Sequence, residues 1–397
     1  LYVRYKSQRN GFILNGKSNI RIENLHFFGC GVEMDNATSG CVLNRITAEY
    51  AQHSISGEGC MGAQCWGSNE REGLGEGGIQ ILGSGNTLQN SEIAYCSGNG
   101  VYVSGEGHSI VNNFIHDVDY IGSYACAVHL INARKCLISH NTMKSAGRSL
   151  INAATSGFYN CQITYNVMAE GMKLVDDGGA LYLSSMDGEG SEIAYNVITD
   201  MKKTDGQKYV QGLYLDGLCS NMIVHHNVLK DCNMQMNQPS EYCLFYNNTV
   251  GGNFSSVKVA KGDRADATGV ALINNIFTGT ISWPLLGSSG LEYHNKENAG
   301  QYLANPAEGD YTLAADKAGC IDQGLILSGI TPDKNLFPDL GAYESGESPW
   351  KAGHDFMNPP QVTSKTNSIR FQNLVKNGSF DMGDEGSWSL EGNGVIN

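Results

Sequence analysis

The chain has few prolines, no long apolar run and no excess of basic residues. Proline accounts for 8 of its 397 residues, against 50 glycines, which favours many tight turns between short regular segments and argues against a disordered chain. No stretch approaches the roughly 18 apolar residues that span a membrane, so the sequence predicts no membrane span. Because 40 acidic residues outnumber 26 basic ones, the chain repels phosphate backbones, which argues against nucleic acid as a partner.

Amphipathic helices and dense disulfide patterns are also missing. The 12 cysteines are spread along the chain, most of them in or beside apolar segments, which is typical of small buried side chains. Cys60 and Cys65, on a glycine-rich loop, are the candidates for a local disulfide. No second pair of Cys or His lies beside them at ligand spacing, so the sequence predicts no zinc site and no other resident metal.

What the sequence does contain is an asparagine that recurs ahead of short apolar stretches. Successive spacings run from 20 to 31 residues, apart from one of 46 that spans two units. The positions are Asn24, Asn44, Asn90, Asn113, Asn141, Asn166, Asn196, Asn227, Asn248 and Asn275. A period in the twenties indicates a solenoid, in which one supersecondary unit stacks on the next. We expect the asparagine amides to stack as a hydrogen-bonded ladder with a structural role only.

Each unit fits three short strands and three turns, because no helix of three turns lies between the apolar stretches. The sequence therefore predicts an all-β right-handed parallel β-helix over residues 1–345, with a closing segment near its end. Residues 346–370 are predicted to be a linker. Residues 371–397 resemble the first strand of a β-sandwich carbohydrate-binding module. The chain begins inside a predicted strand, so we expect a mature form or a fragment.

Six strands can be aligned, and in five of them aliphatic residues occupy the second and fourth places and are expected to point into the core. Their third places then face outward and hold Gln80, Tyr102, His129, Ile151, Tyr182 and Tyr214. Aromatic rings present apolar faces to sugar C–H groups, and their polar tips reach hydroxyls. We therefore predict that Tyr102, His129, Tyr182 and Tyr214 line a groove for a linear polysaccharide.

Carboxylates flank the same strands. Asp176 and Asp177 precede the strand of Tyr182, and Asp216 follows Tyr214 by two residues, on the same outward face. A pair of carboxyl groups can supply the general acid and the nucleophile or base of glycoside cleavage. Along an extended strand Asp177 would lie about 20 Å from Asp216, so the two meet only if Gly178-Gly179 turns the chain back.

The segment DDGGALY, followed by an asparagine-marked strand and GLYLDG, resembles the DGGAIY…GIYLD pattern of β-helix glycoside hydrolases. It is most similar to glycoside hydrolase family 141, which contains xylanase and α-L-fucosidase activities. The likeness extends over residues 10–345, and its specific part is 176–217. It implies that Asp177 and Asp216 are the catalytic pair, with Asp176 as a third acid, and that the reaction proceeds with retention.

Two other functions stay open on the residues. A polysaccharide lyase would use Arg148 and Lys173, 25 residues or about one coil apart, to bind and deprotonate a uronate, and calcium at Asp176 and Asp177 would assist. A non-catalytic carbohydrate-binding solenoid needs no acid at all. In each case we expect a monomeric bacterial protein that meets a polysaccharide in the periplasm or outside the cell. The hydrolase needs no cofactor.

Overall fold

The computed structural model describes residues 10–51, 77–120, 122–154, 157–175, 177–201, 210–257, 267–282, 290–327, 331 and 337–362. Within these ranges the chain forms three long parallel sheets around one core. Successive strands of each sheet come from successive coils, so the predicted all-β parallel β-helix is confirmed. None of the helices in these ranges has both the length and the apolar character needed to cross a membrane.

Sheet A carries the outward row described below. Its strands are Asn10–Ile13, Gly31–Glu33, Ile79–Ser84, Val101–Glu106, Cys126–Arg134, Ser149–Ala154, Leu181–Ser184, Gln211–Asp216, Asn233–Met236, Phe254–Ser255 and Ile281–Ser282, with Phe158–Tyr159 paired beside Cys126–Arg134. The strands of sheet B are Arg21–Glu23, Val42–Asn44, Thr87–Gln89, Ser109–Val111, Leu137–Ser139, Gln162–Thr164, Asp187–Ala194, Ser220–His225, Leu244–Tyr246, Ala271–Ile273 and Leu291–Tyr293. The strands of sheet C are His26–Phe28, Thr47–Glu49, Glu92–Ala94, Phe114–Val118, Thr142–Ala146, Val167–Ala169, Val197–Thr199, Val228–Leu229, Thr249–Val250 and Ile276–Phe277.

The core consists of columns of aliphatic side chains, one per coil. In sheet B the middle residue of successive strands points inward and stacks on its neighbour in register. This column includes Leu88, Ile110, Ile138, Ile163 and Ile193, all with no exposed surface. The ten cysteines in the described ranges are unpaired, and all but Cys30 are buried. Cys60 and Cys65 lie outside those ranges.

A buried asparagine ladder runs between sheets B and C. Its members are Asn113, Asn141, Asn166, Asn196, Asn227, Asn248, Asn275 and Asn295. Each amide nitrogen donates to the amide oxygen of the next member at 2.9–3.0 Å. The prediction that Asn24, Asn44 and Asn90 belong to this ladder was wrong. Asn24 and Asn90 have left-handed backbone at the turn, and Ser91 occupies the ladder position of its coil.

Replacing a ladder member should destabilise the whole helix. Asn196 donates to Asn227 Oδ1 and to Ile163 O, and it accepts the backbone and amide N–H groups of Asn166. Asn196→Ala leaves these groups unpaired in the core. We expect a loss of about 3 kcal/mol in the free energy of unfolding, measured by chemical denaturation.

The matched control is Asn15→Ala, because Asn15 is exposed and bonds only at the surface in the described contacts. We expect that variant to change the free energy of unfolding by less than about 0.5 kcal/mol. Equal unfolding midpoints for the wild type and Asn196→Ala would contradict a stabilising ladder.

The C-terminal part of the described chain packs against the outside of the helix. Two 3-10 turns, Gly300–Tyr302 and Pro306–Glu308, alternate with the antiparallel strands Leu303–Asn305 and Asp310–Leu313. Apolar side chains from this part cover the outer face of sheet C in a second hydrophobic cluster. This cluster includes residues of the closing segment predicted from the sequence.

Residues 343–362 continue along the corner between sheets B and C. Trp350 meets the rings of Tyr165 and Tyr195 edge-on, and the backbone N–H of Asp355 donates to Asn112 Oδ1 at 2.7 Å. The first part of the predicted linker therefore lies against the solenoid. The proposed domain boundaries stay a prediction, since residues 363–397 fall outside the described ranges.

Candidate active site

One row of side chains on the outer face of sheet A holds four of the nine predicted site residues. Strand pairing places these side chains in register, one per coil. The row reads Gln80, Tyr102, His129, Asn152, Tyr182, Tyr214 and Gln235. The assignment of Ile151 to this row was wrong, because Ile151 pairs with Val128 and is fully buried in the core.

Asp216 lies at the centre of a dense hydrogen-bond cluster. Its Oδ2 accepts the hydroxyl proton of Tyr182 at 2.9 Å. Its Oδ1 accepts from the Gly217 N–H and the Asn237 amide, each at 2.8 Å, and from the Tyr214 hydroxyl at 3.3 Å. We call Asp216, Tyr182, Tyr214 and Asn237 the Asp216 cluster. Four donors directed at one carboxyl group suit a carboxylate that only accepts.

The two tyrosines of this cluster are more buried than the sequence predicted. Tyr182 is 2% exposed and Tyr214 is 9% exposed. Burial raises the pKa of both phenols, and the Asp216 charge adds to the effect. The hydroxyls therefore stay protonated and donate to Asp216, while the Asn237 amide donates to Tyr214 at 2.6 Å.

Asp177 approaches this cluster through a turn before the strand Leu181–Ser184. Gly178 has a φ of 134°, a conformation that favours glycine. A Cβ there would lie 3.2 Å from Arg148 Nη2, so the glycine also lets the guanidinium approach the turn. Arg148 Nε donates to the backbone oxygen of Asp177 at 2.9 Å, and Nη2 lies 3.6 Å from its Oδ2.

The electrostatic surroundings of Asp177 differ from those of Asp216. Burial raises the pKa of the Asp177 carboxyl, Arg148 lowers it, and the charge of Asp216 raises it. The net direction is upward. Asp177 still exposes 31% of its side chain. Asp177 and Asp216 therefore lie close enough for the charge of Asp216 to raise the pKa of Asp177.

Arg148 is fully covered, although the sequence predicted a substrate contact. Its guanidinium lies 3.9 Å from the ring centre of Tyr124 and 4.8 Å from that of Tyr182. Only 1% of its side chain is exposed. Arg148 therefore contacts two tyrosine rings and the backbone of the Asp177 turn.

Tyr102 and His129 lie farther along the row toward the N-terminus. Their rings meet edge to face at 5.8 Å, and both are half-buried. His129 Nδ1 pairs with the Asn99 amide at 3.2 Å. Between His129 and Tyr182 lies Asn152, whose buried amide has no hydrogen-bond partner within the described part of the chain.

Lys173 belongs to a different group of side chains. Its ammonium donates to Ser145 Oγ at 3.0 Å and lies 4.0 Å from Glu170. Ser145 in turn donates to Asp117 at 2.7 Å. Asp176 lies outside the described residues. Within those residues, His, Cys, Asp and Glu side chains nowhere gather in threes as a metal site would require.

Sequence reasoning missed Asn237, Gln235 and Tyr124. Gln235 pairs in register with Tyr214, and Asn237 follows it by two residues, as Asp216 follows Tyr214. Extending the strand alignment by one coil would have found both. Tyr124 precedes its strand in a turn, so the alternation of strand residues carries no signal for it.

Comparisons with known proteins bear on the fold. The solved pectate lyase Pel9A is 12% identical over 85% of this chain and 89% of that chain, with a TM-score of 0.49. A glycoside hydrolase structure is 11% identical over 76% and 41%, with a TM-score of 0.35. PfbA, a surface adhesin of Streptococcus pneumoniae, is 12% identical over 69% and 63%, with a TM-score of 0.38. No curated protein matches the chain.

A family model also matches the chain. The model of the right-handed beta helix region matches residues 67–171 and 121–277. The two overlapping matches together span more than half of the chain, and the parallel sheets of the structure agree with them. The chain therefore belongs to the right-handed β-helix family.

Proposed function

We propose that this protein is a glycoside hydrolase that cleaves a linear plant or algal polysaccharide with Asp177 and Asp216. The observation that supports it best is the contrast between two coupled carboxyl groups. One accepts four hydrogen bonds, and the other has a raised pKa. Glycoside cleavage needs this division between a carboxylate and a protonated acid.

Each aspartate receives a role from its surroundings. Asp177, with its raised pKa, is the general acid that protonates the departing glycosidic oxygen. Asp216 is the carboxylate that attacks the anomeric carbon or activates a water for that attack. Tyr182, Tyr214 and Asn237 hold the Asp216 carboxylate in place, which lowers the cost of orienting it during the reaction.

The outward row supplies the substrate path. Strands of a parallel sheet are about 4.8 Å apart, so a linear polymer lying along the helix axis meets one side chain of the row per coil. Tyr102 and His129 are the half-buried aromatic members of the row on the N-terminal side of the two aspartates. A polymer cannot cross a membrane intact, so we also propose that the protein acts outside the cytoplasm.

Tyr102→Ala should weaken cleavage of long chains more than of short ones. Tyr102 lies three strands from Tyr182, or about 14 Å, so only a substrate several monomers long reaches it. Loss of one ring contact should raise KM for long oligosaccharides about 2- to 10-fold and leave short ones unchanged. KM measured against oligosaccharide length gives the answer.

Tyr293→Ala is the control, since Tyr293 is an exposed tyrosine of sheet B. We expect no dependence on chain length from it. A Tyr102→Ala effect that is the same for every substrate length would remove Tyr102 from the binding path.

The proposed function is tested by incubating the protein with a panel of neutral and anionic polysaccharides and counting new reducing ends. We expect cleavage of at least one polymer. Binding without any new ends would favour the non-catalytic solenoid. A lyase also creates reducing ends, but its products lack the added water that the products of a hydrolase carry. The lyase alternative requires Arg148 and Lys173 to act on one uronate. Their side chains contact different groups among the described residues, Asp177 for Arg148 and Ser145 for Lys173.

A further inference from the structure

A fully buried carboxyl group packs against the Gly147-Arg148 backbone and takes no part in the mechanism proposed above. Asp119 has no exposed surface. Its Oδ1 accepts the backbone N–H and the hydroxyl of Ser123 at 2.7 and 2.6 Å. Its Oδ2 has no hydrogen-bond partner among the residues that the structure describes. A half-satisfied carboxyl in a core is unusual and calls for a reason.

The backbone of Gly147 packs directly against Asp119. A Cβ on Gly147 would lie 2.0 Å from the Asp119 backbone oxygen and 2.9 Å from its Oδ2, so only glycine allows this approach. Arg148 is the next residue. Its backbone N–H and its guanidinium charge both act on the Asp119 carboxyl.

Arg148 connects this buried group to the candidate active site. The rings of Tyr124 and Tyr182 both lie against its guanidinium. The same guanidinium binds the backbone of Asp177 and faces its carboxylate. Asp119 thus packs against the backbone at Gly147-Arg148, and the Arg148 side chain in turn contacts Asp177.

We propose that Asp119 is a positioning residue for the candidate active site: it fixes Arg148, and Arg148 fixes both the turn and the charge of Asp177. The inference rests on the proposed function, because it assigns Asp177 the role of acid. Neither Asp119 nor Arg148 touches the reacting atoms.

The protonation state of Asp119 fits this role. Burial raises its pKa to about 8. The charged and titratable groups that interact with it include Arg148 and the Cys126 thiol, whose own pKa burial raises. Near neutral pH Asp119 is therefore uncharged and does not neutralise the positive charge of Arg148, which lowers the pKa of Asp177.

Two substitutions separate the charge of Arg148 from its shape. Arg148→Lys keeps the charge and loses the planar fork, so kcat should fall about tenfold with little change in KM. Arg148→Met also removes the charge that lowers the pKa of Asp177. The basic limb of the kcat/KM profile should then move to higher pH, because Asp177 keeps its proton longer.

Arg134→Met is the matched control. Arg134 also lies over a tyrosine, 4.5 Å from the ring of Tyr159, and pairs with Glu189 at 3.0 Å, but it has no contact with Asp177 among the described ones. We expect neither a fall in kcat nor a shift of the basic limb. A lower Tm for Arg148→Met with an unmoved limb would make Arg148 merely structural and overturn the proposal.

Asp119 is tested with a conservative and a disruptive variant. Asp119→Asn mimics the neutral acid and should retain at least about a third of kcat at pH 6, whereas Asp119→Ala frees Arg148 and should lower kcat about tenfold. Equal kcat values for wild type and Asp119→Ala would overturn the positioning role.

Stability against pH gives a readout that needs no substrate. Because the folded-state pKa of Asp119 is raised, its neutral form contributes stability that is complete below about pH 4 and is lost as the pH rises through about 8. Asp119→Asn does not titrate. The difference between its Tm and that of the wild type should therefore increase by roughly 2–5 °C from pH 5 to pH 8. A Tm difference that stays the same at every pH would overturn the inference that Asp119 is neutral in the folded protein.

Failure of the proposed function has a different signature. If the wild-type protein cleaves no polymer, Asp177 is not the general acid. The coupling between Asp119 and Arg148 can still be tested by comparing the Tm of their variants. The losses in Asp119→Ala, Arg148→Met and the double variant should be non-additive for residues in one network. Additive losses would overturn the link between them.

Discussion

Asp216→Asn should abolish polysaccharide cleavage while leaving the fold intact. The amide keeps an oxygen acceptor for Tyr182 or Asn237 and has nearly the same shape, so the Asp216 cluster stays packed. It cannot attack the anomeric carbon or take a proton from water. We expect kcat to fall by at least about 1,000-fold, with Tm close to that of the wild type.

The control for that loss is Asp187→Asn. Asp187 is an exposed acid in the neighbouring sheet B, where its Oδ1 accepts the Glu189 backbone N–H and the Asn221 amide, each at 2.9 Å. This variant should retain wild-type activity. An Asp216→Asn enzyme with more than about a tenth of wild-type kcat would exclude Asp216 as a reacting group.

Asp177→Asn should lose activity selectively, according to the leaving group of the substrate. A polysaccharide oxygen needs a proton to depart, so removal of the acid should lower kcat about 100- to 10,000-fold on the natural polymer. An activated aryl glycoside departs without protonation and should be far less affected. Asp216→Asn should fail on both substrates, which distinguishes the two roles.

The pH profile gives the same prediction a second check. Asp177 acts in its protonated form and its pKa is raised, so the wild-type rate should fall as the pH rises through that pKa. Asp177→Asn should lack this basic limb. Equal losses on the polymer and the aryl glycoside, with the limb retained, would show that Asp177 is not the acid.

The repetitive part of the fold is readable in the sequence, because each coil repeats the same physical problem. The inward aliphatic residues of each coil must stack on those of the preceding coil. Their alternation with outward residues therefore predicted the register of five of the six aligned strands of sheet A. The sixth, Ser149–Ala154, was aligned one residue off. Both Leu150 and Ile151 are apolar and both are buried, so alternation alone cannot choose between the two registers.

The asparagine repeat had a similar ambiguity. Asparagine suits the buried ladder because its amide both donates and accepts. It also tolerates the left-handed backbone of the residue just before the ladder position, which Asn24, Asn90 and Asn112 occupy. Two adjacent positions thus favour the same residue type for different reasons, and spacing cannot separate them.

The candidate site was only partly predictable. Asp216, Tyr182 and Tyr214 follow from strand register, because residues two apart on a strand share a face. The position of Asp177 depends on the conformation of Gly178 and on Arg148, which comes from the preceding coil. Asp119 gave no pattern signal, since its burial results from packing against Gly147.

The most direct test of the account is the mass of the products released from a cleaved polysaccharide. A hydrolase adds one water for each bond broken, so the summed product mass should exceed that of the substrate by one water per cleavage, with no new ultraviolet absorption. The account predicts this result for the wild type and no products for Asp216→Asn. Products that lack the added water and absorb in the ultraviolet, as the unsaturated ends left by a lyase do, would contradict it.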